Sequence, residues 1–511
     1  MLTRHDRGSA GAGAIASTGA VEAETRPHPS TDDAGYHAVP SRPQRAFHVW
    51  AAVGFAGSCG LAAFGTRVGA VPDGVGWWFS LPRGGSTVPG VLFYLCVCLL
   101  VAAWVGVGVR GRAARLTTRQ AWFLLGAWGV PLVLGPPLFS RDLYSYVAQG
   151  LIAHSGANPY AVGPSVLGPG PVLESVASVW RHTPTPYGPL FVSLIRGVAA
   201  LFGTSITAEV LALRGLELAG VVLIMVFLPR LARNLGTDPG LALWLGALSP
   251  LALFSFIASG HNDGLMLGLL VAALALASEE RMTAALVLCA LAMTVKVPAG
   301  AAIIFVGLGW LRATTGRRRL GALVRIVAVP VATVAVVTWA SGLGWTWLGP
   351  DALRVPTELR VLPTPSVAIG TLFSHLLDLA RVHVSRRATI TVTEWVCSVG
   401  AVAVGSWLAV RVRPFNEVRL LGCALAVLVL AGPTLWPWYL LWGLTLLAAT
   451  PAQRSRAVAV VMALAMLVVG PGGSPLLQGN TYLVVVGVCA VGVFWLVRNH
   501  RWAAVALGPV V

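Results

Sequence analysis

The chain has 511 residues, of which 56% are hydrophobic and only 11% charged, with a formal net charge of +17. A soluble globular domain carries about 25% charged residues, so this composition excludes one and indicates a polytopic membrane protein. The basic excess does not indicate nucleic acid, because the arginines cluster at alternate ends of apolar runs, at 110–119, 230–233, 312–319, 411–419 and 454–456, as they do in cytoplasmic loops.

Residues 1–45 are polar, small and Pro-rich and predict a disordered cytoplasmic tail without the apolar stretch of a signal peptide. Apolar runs at 47–66, 88–109 and 121–139 predict the first three spans. Arginines after the second place 110–120 inside, so Ser140 opens an outer loop. In that loop Leu143, Tyr146, Val147 and Leu151 recur at helical spacing, with Ser145, Gln149 and His154 elsewhere around the helix. The pattern predicts an interfacial helix lying on the outer leaflet. Residues 158–186 hold too much Pro and Gly for regular helix. The apolar segment 187–203 is short, proline-broken and carries Arg196 midway. Were it to cross, Arg230 and Arg233 would lie outside, so it reads as an interfacial or re-entrant helix within one outer loop, 140–207.

After a span at 208–228, the run 241–259 leads outward to Gly260-His261-Asn262-Asp263. One long helix over 282–311 would carry the arginines from 312 to 325 outside. Two short helices broken at Lys296-Val297-Pro298 restore the charge parity and bring the lysine near the outer face. A span to 341, a second outer loop over 342–387, and spans near 388–410, 418–435, 438–450, 457–471 and 481–497 follow. They complete a membrane domain over 46–500 and leave a cytoplasmic tail at 501–511. The fold class is all-α and polytopic, with about 14 transmembrane helices plus interfacial helices in the early outer loop. The seven cysteines all lie in apolar runs and read as small core residues.

Asp142 is the leading chemical candidate. A carboxylate at the mouth of a membrane helix is costly to hold there. At the membrane surface it can take the proton of an acceptor hydroxyl when the leaving group is a lipid phosphate. Its structural alternative is a helix cap onto Ser145. Arg141, Arg181, Arg196 and Lys296 are cations on or near the outer side, suited to a phosphate or to ion pairing and lipid headgroups. His261, Asn262 and Asp263 at an outer helix end can hold sugar hydroxyls, assist the base or cap the next helix. Trp438, Tyr439 and Tyr187, with Trp180, His182 and Trp436, offer groups on which sugars stack or bond, or form an ordinary interfacial aromatic belt. No ligand spacing joins His154, His182, His261 and Asp263 into a metal site. No Gly-rich phosphate loop, nucleophile elbow or Cys-x-x-Cys occurs, so no cofactor and no nucleotide-sugar site is expected.

The segments Ser140-Arg141-Asp142-Leu143-Tyr144-Ser145-Tyr146-Val147-Ala148-Gln149-Gly150, Ala157-Asn158-Pro159-Tyr160, Pro186-Tyr187-Gly188-Pro189-Leu190, Gly260-His261-Asn262-Asp263, Lys296-Val297-Pro298-Ala299 and Pro437-Trp438-Tyr439-Leu440-Leu441-Trp442 form an ordered set. Together they resemble the actinobacterial polyprenol-phosphomannose-dependent α-1,6-mannosyltransferases of the MptB type, over residues 47–500. The resemblance implies a GT-C fold with the catalytic Asp in an early outer loop and a polyprenyl-phosphate-mannose donor. It also implies a lipid-anchored mannan or lipomannan acceptor and inverting, metal-independent α-1,6 transfer outside the plasma membrane. Asp142 matches the position of the family's base; Tyr144 and the other motif residues match in position only. Related enzymes use an arabinose donor of similar chemistry. The rival classes are a transporter or flippase of a lipid-linked saccharide and a ligase moving whole glycans. A transporter places its charges near the bilayer midplane. Here they gather in two outer loops, which favours transfer.

Overall fold

The computed structural model describes residues 42–451 apart from 74, 82–86, 111–115, 204, 350–363 and 415. The expected tail up to residue 41, the spans at 457–471 and 481–497, the C-terminal tail and the middle of the 342–387 segment lie outside the described residues. Among the described residues the regular structure is entirely helical. In chain order the helices are α1 (Arg42–Val68), α2 (Thr87–Arg110), α3 (Thr118–Leu134), α4 (Asp142–His154), α5 (Pro171–Ser175), α6 (Pro189–Phe202), α7 (Ile206–Asn234), α8 (Pro239–Gly246) and α9 (Pro250–Ala258). They continue as α10 (Asp263–Ser278), α11 (Met282–Val295), α12 (Ala301–Ala313), α13 (Arg318–Ser341), α14 (Pro365–Leu379), α15 (Arg386–Val410), α16 (Glu417–Ala431) and α17 (Leu440–Ala448).

Five of these, α1, α2, α7, α13 and α15, are long and apolar enough to cross a membrane, and α8 with α9 makes a sixth if the pair, bent by 50°, is one span. The protein is therefore a multi-pass membrane protein. Among the described residues five further apolar helical segments, Pro189–Phe202, Asp263–Ser278, Met282–Val295, Val297–Ala313 and Pro437–Ala448, are 10–17 residues long. Prolines set several of the breaks: Pro250 opens α9, Pro298 sits in the turn between α11 and α12, and Pro437 opens the turn before α17. The span expected at 438–450 is a nine-residue helix. The segment expected as an outer loop at 342–387 contains the 15-residue α14, with the Thr364 side chain capping Val367.

The direction of the short helices fixes the two ends of the bundle. α7 and α10 run parallel: the Glu217 carboxylate accepts from Leu265 N (3.0 Å), and Arg230 pairs with Glu279 through two hydrogen bonds (2.9 and 3.1 Å). α11 returns, so its C-terminus comes back beside the start of α10, and α12 departs again toward Arg312. The break expected at Lys296 is present. Lys296 itself is extended (φ −151°, ψ 122°), between the last turn of α11 and a 3₁₀ turn over Val297–Gly300.

α10 is buried on nearly every side and forms the centre of the bundle, whereas α13 and α15 expose Val327, Val331, Trp339, Val392, Trp395 and Val399 as lipid-facing surface. α7 and α10 approach through glycine. A Cβ on Gly220 would lie 2.3 Å from Gly264 O and one on Gly268 2.4 Å from Gly220 O, a small-xxx-small contact. Gly220→Val should therefore lower stability by about 1–3 kcal/mol through overpacking, read as an earlier thermal transition in detergent. Unchanged melting would show that the two backbones can separate freely.

α4 departs from the amphipathic surface helix expected of it. Asp142 to Gly150, Ile152 and Ala153 are buried, Ser145 and Gln149 included. Ser145 and Gln149 turn toward protein rather than water, with Gln149 Oε1 accepting from the Thr185 hydroxyl (3.0 Å), while His154 at the end of the helix is exposed.

Candidate functional site

Four sequence-distant segments meet at one end of the bundle: the start of α4, the turn before α10, the break after α11 and the turn before α17. The chain enters α4 through Ser140, whose Oγ accepts from Asp142 N (3.1 Å). The turn before α10 follows a π-helical stretch, Leu253–Ala258, and a left-handed Gly260 (φ +64°). A Cβ on Gly260 would meet the Leu143 side chain at 2.9 Å, so this glycine also lets α4 seat against the turn. Tyr146, one turn after Asp142, accepts a hydrogen bond from Asn262 N (3.4 Å). Gly188 docks the loop before α6 onto the end of α11: Gly188 N donates to Val295 O (3.0 Å), and a Cβ there would lie 2.2 Å from Thr294 O. That contact sets Tyr187 beside Lys296.

Asp142 and His261 form the first pair. His261 Nδ1 stands 3.2 Å from Asp142 Oδ2, with the imidazole side chain 1% exposed and the carboxylate 11% exposed. The imidazole lies flat on Trp438, centroids 3.6 Å apart and planes 17° apart, and Trp438 in turn stacks on Trp436 at 4.9 Å. The ring is thus clamped while one nitrogen faces the carboxylate. Asp142 is the first residue of α4, and Ser145 N donates to Arg141 O rather than to the Asp142 side chain, so the cap onto Ser145 is absent.

Asp263 and Lys296 form the second pair. Lys296 Nζ donates to both Asp263 oxygens (2.9 and 3.0 Å) and to Asn262 Oδ1 (3.4 Å). Trp442 Nε1 donates to Asp263 Oδ1 at 2.5 Å. The ammonium lies over the rings of Tyr439 (4.5 Å), Trp442 (5.4 Å) and Tyr187 (5.7 Å). Neither Asn262 nor Asp263 caps α10. Burial pushes the Tyr187 phenol well above its ordinary value, and the Asp142 carboxylate adds to the effect, so Tyr187 is a neutral hydroxyl.

The remaining expected residues divide. The Arg141 guanidinium adjoins Asp142 in sequence and makes no hydrogen bond or ion pair among the described residues. Tyr144 is fully buried with its hydroxyl unpaired. Arg181 and Arg196 are committed to backbone carbonyls: Arg181 bonds Val176 O and Glu174 O (both 3.1 Å), and Arg196 bonds Ser341 O (2.9 Å) at the end of α13. Around the two pairs, His261 Nε2, Asn262 Nδ2 and the Ser145 and Ser259 hydroxyls are buried without a hydrogen-bond partner. Buried polar groups are normally satisfied. Of the two pairs, the Asp142 carboxylate and the Lys296 ammonium keep some exposure, at 11% and 10%, and are the groups a polar ligand can reach.

Sequence reading missed three supports of the site. Trp442 closes the Pro437–Trp442 motif, but nothing in the sequence gives it a partner. Glu217 sits inside α7 and holds the first turn of α10. Arg214, fully buried in α7, binds the carbonyls of Val133, Gly135 and Ala258 (2.5–2.7 Å), which ties the end of α3 to the end of α9. The isolated charges of α7 were the available clue.

Comparison with known proteins places the chain. The family described as alpha-(1->6)-mannopyranosyltransferase, N-terminal domain, matches residues 51–312, and the MptB C-terminal domain matches 366–499. Alpha-(1->6)-mannopyranosyltransferase A of Mycobacterium tuberculosis is 32% identical over 90% of this chain and 92% of its own length. Alpha-(1->6)-mannopyranosyltransferase B of Corynebacterium glutamicum is 30% identical over 70% of this chain and 64% of its own. An all-helical, multi-pass chain with these matches is an integral-membrane glycosyltransferase of the GT-C class. The chain belongs to the MptA/MptB family of alpha-(1->6)-mannopyranosyltransferases. Relatives of both the A and the B type match, so the resemblance to the MptB type broadens to the family.

Proposed function

We propose that the protein transfers mannose from polyprenyl-phosphate-mannose to a lipid-anchored mannan acceptor, with inversion and an α-1,6 linkage, and that Asp142 is the base. The observation that carries this reading is the Asp142–His261 pair, clamped by Trp438 and partly open on the carboxylate side. The acceptor's hydroxyl proton passes to an Asp142 oxygen as its oxygen bonds the anomeric carbon. The bond from that carbon to the phosphate oxygen breaks, and the polyprenyl phosphate leaves with the electron pair. His261 orients the carboxylate. The Arg141 guanidinium, without a side-chain partner among the described residues, is the first candidate for the donor phosphate, with the Lys296 ammonium behind it as a positive, partly neutralised charge. Arg181 and Arg196 then act on the loop and on α13. Tyr187, Tyr439, Trp438, Asn262 and Asp263 supply ring faces and hydrogen bonds around the sugar. The extracytoplasmic side is supported by charge: the arginine-rich helix ends lie opposite Asp142, as the positive-inside rule requires of a site facing outward.

The test is transfer by purified protein given radiolabelled polyprenyl-phosphate-mannose or, separately, the corresponding arabinose donor, with short mannoside acceptors. An α-1,6-mannosylated product from the mannose donor alone is expected. Product from the arabinose donor alone would replace the sugar in this assignment, and no product from either would remove the reading.

A further inference from the structure

At the end of the bundle opposite Asp142 lies a second built feature, which the reaction does not use. α12 leaves the 3₁₀ turn after Lys296 and ends at Arg312, about 24 Å away by helical rise, close to the thickness of a hydrocarbon core. There the ends of α12, α15 and α16 enclose a cleft of about 680 Å³. Arg312, Arg411, Arg413 and Arg419 line it, with Trp407 and Asn416.

The cleft is organised rather than merely basic. Arg312 donates to Val410 O (2.8 Å) and to Val412 O, which fastens the α15–α16 turn to α12. Asn416 Oδ1 accepts from Arg413 N (2.7 Å) and closes that turn. The Arg411 guanidinium lies 4.1 Å over the Trp407 ring. Arg413 and Arg419 are exposed and make no side-chain hydrogen bond or ion pair among the described residues. Glu417 is the one acid among the described residues of this turn and the adjoining helix ends, so the cleft carries a clear positive excess.

Its position selects the ligand. From Val392 onward the exposed face of α15 is apolar up to this point, with Val392, Trp395, Val399, Val402 and Trp407 lipid-facing and Val410 70% exposed. The arginines begin at the next residue. Acyl chains lying along α15 would bring a phosphodiester headgroup level with Arg411, Arg413 and Arg419. A tryptophan at the boundary is the usual interfacial anchor, and basic clefts between membrane helices are suited to anionic headgroups.

We propose that this cleft binds the phosphate of an anionic phospholipid in the leaflet opposite the catalytic end. The test is native mass spectrometry of the full chain released from nanodiscs of phosphatidylcholine mixed with phosphatidylglycerol or phosphatidylinositol. The wild type should retain the anionic lipid in preference to phosphatidylcholine. Arg413→Gln/Arg419→Gln should cut that preference by about 25-fold, at about fivefold per arginine. Both side chains are solvent-exposed, and unchanged detergent-phase turnover of the double variant checks that it is folded. Should it misfold, Arg419→Gln alone should show the fivefold loss. Equal retention by wild type and variant, or no preference over phosphatidylcholine, would overturn the proposal. Displacement of the lipid by millimolar inorganic phosphate alone would overturn it in favour of a free-phosphate site.

Discussion

Asp142→Asn should reduce turnover by about 10²- to 10⁴-fold, the usual range for removing a general base, while the protein stays folded and membrane-inserted. The substitution separates the two roles open to this residue. Asn caps helices about as well as Asp, so a purely capping role predicts little loss. The carboxylate contacts His261 and caps no backbone amide of α4, whose first amide is bound by Ser140 Oγ instead, so the Asn side chain keeps the shape and loses only the proton acceptor. His261→Phe completes the argument. It preserves the ring on Trp438 and deletes the nitrogen 3.2 Å from Asp142. It should lower kcat by less than Asp142→Asn does, because a positioning residue leaves the base in place. Near-wild-type turnover by purified Asp142→Asn would remove Asp142 as the base.

Legibility differed between elements for physical reasons. The break at Lys296 was readable because two independent constraints, a proline and the side assigned to the arginines after 312, both require it. The meeting of Asp142, His261 and Lys296 at one end followed from the same parity. The burial of α4 was not readable. Ser145 and Gln149 look like a solvent face in sequence, and only the loop carrying Thr185, folded back over them, turns them inward. The expected side of Arg181 and Arg196 allows a phosphate, an ion pair or a lipid headgroup and does not choose among them. The structure spends them on carbonyls that the irregular segment and the end of α13 leave without helical partners. Trp442 closes the Pro437–Trp442 motif, but its partner was not readable: a tryptophan in an apolar run carries no mark of the carboxylate it will meet.

Lys296→Met should destabilise the protein by about 3–5 kcal/mol, because it leaves Asp263 buried without a counter-charge. The Asp263 side chain is 0% exposed and that of Lys296 10% exposed. The remaining Trp442 N–H cannot neutralise a carboxylate. Asp263→Leu should cost a similar amount, since it strands an ammonium among Tyr439, Trp442 and Tyr187. The double variant Lys296→Met/Asp263→Leu is the informative one. Replacing a whole buried ion pair with apolar groups of similar size is often neutral or stabilising, so its melting in detergent should return close to that of the wild type. Turnover should not return with it, because the positive charge behind the proposed donor-phosphate site and the carboxylate beside Asn262 are both gone. A double variant that regained stability and activity together would make the pair a packing device. A single Lys296→Met that melted like the wild type would mean that Asp263 is not held as a charge against the lysine at all.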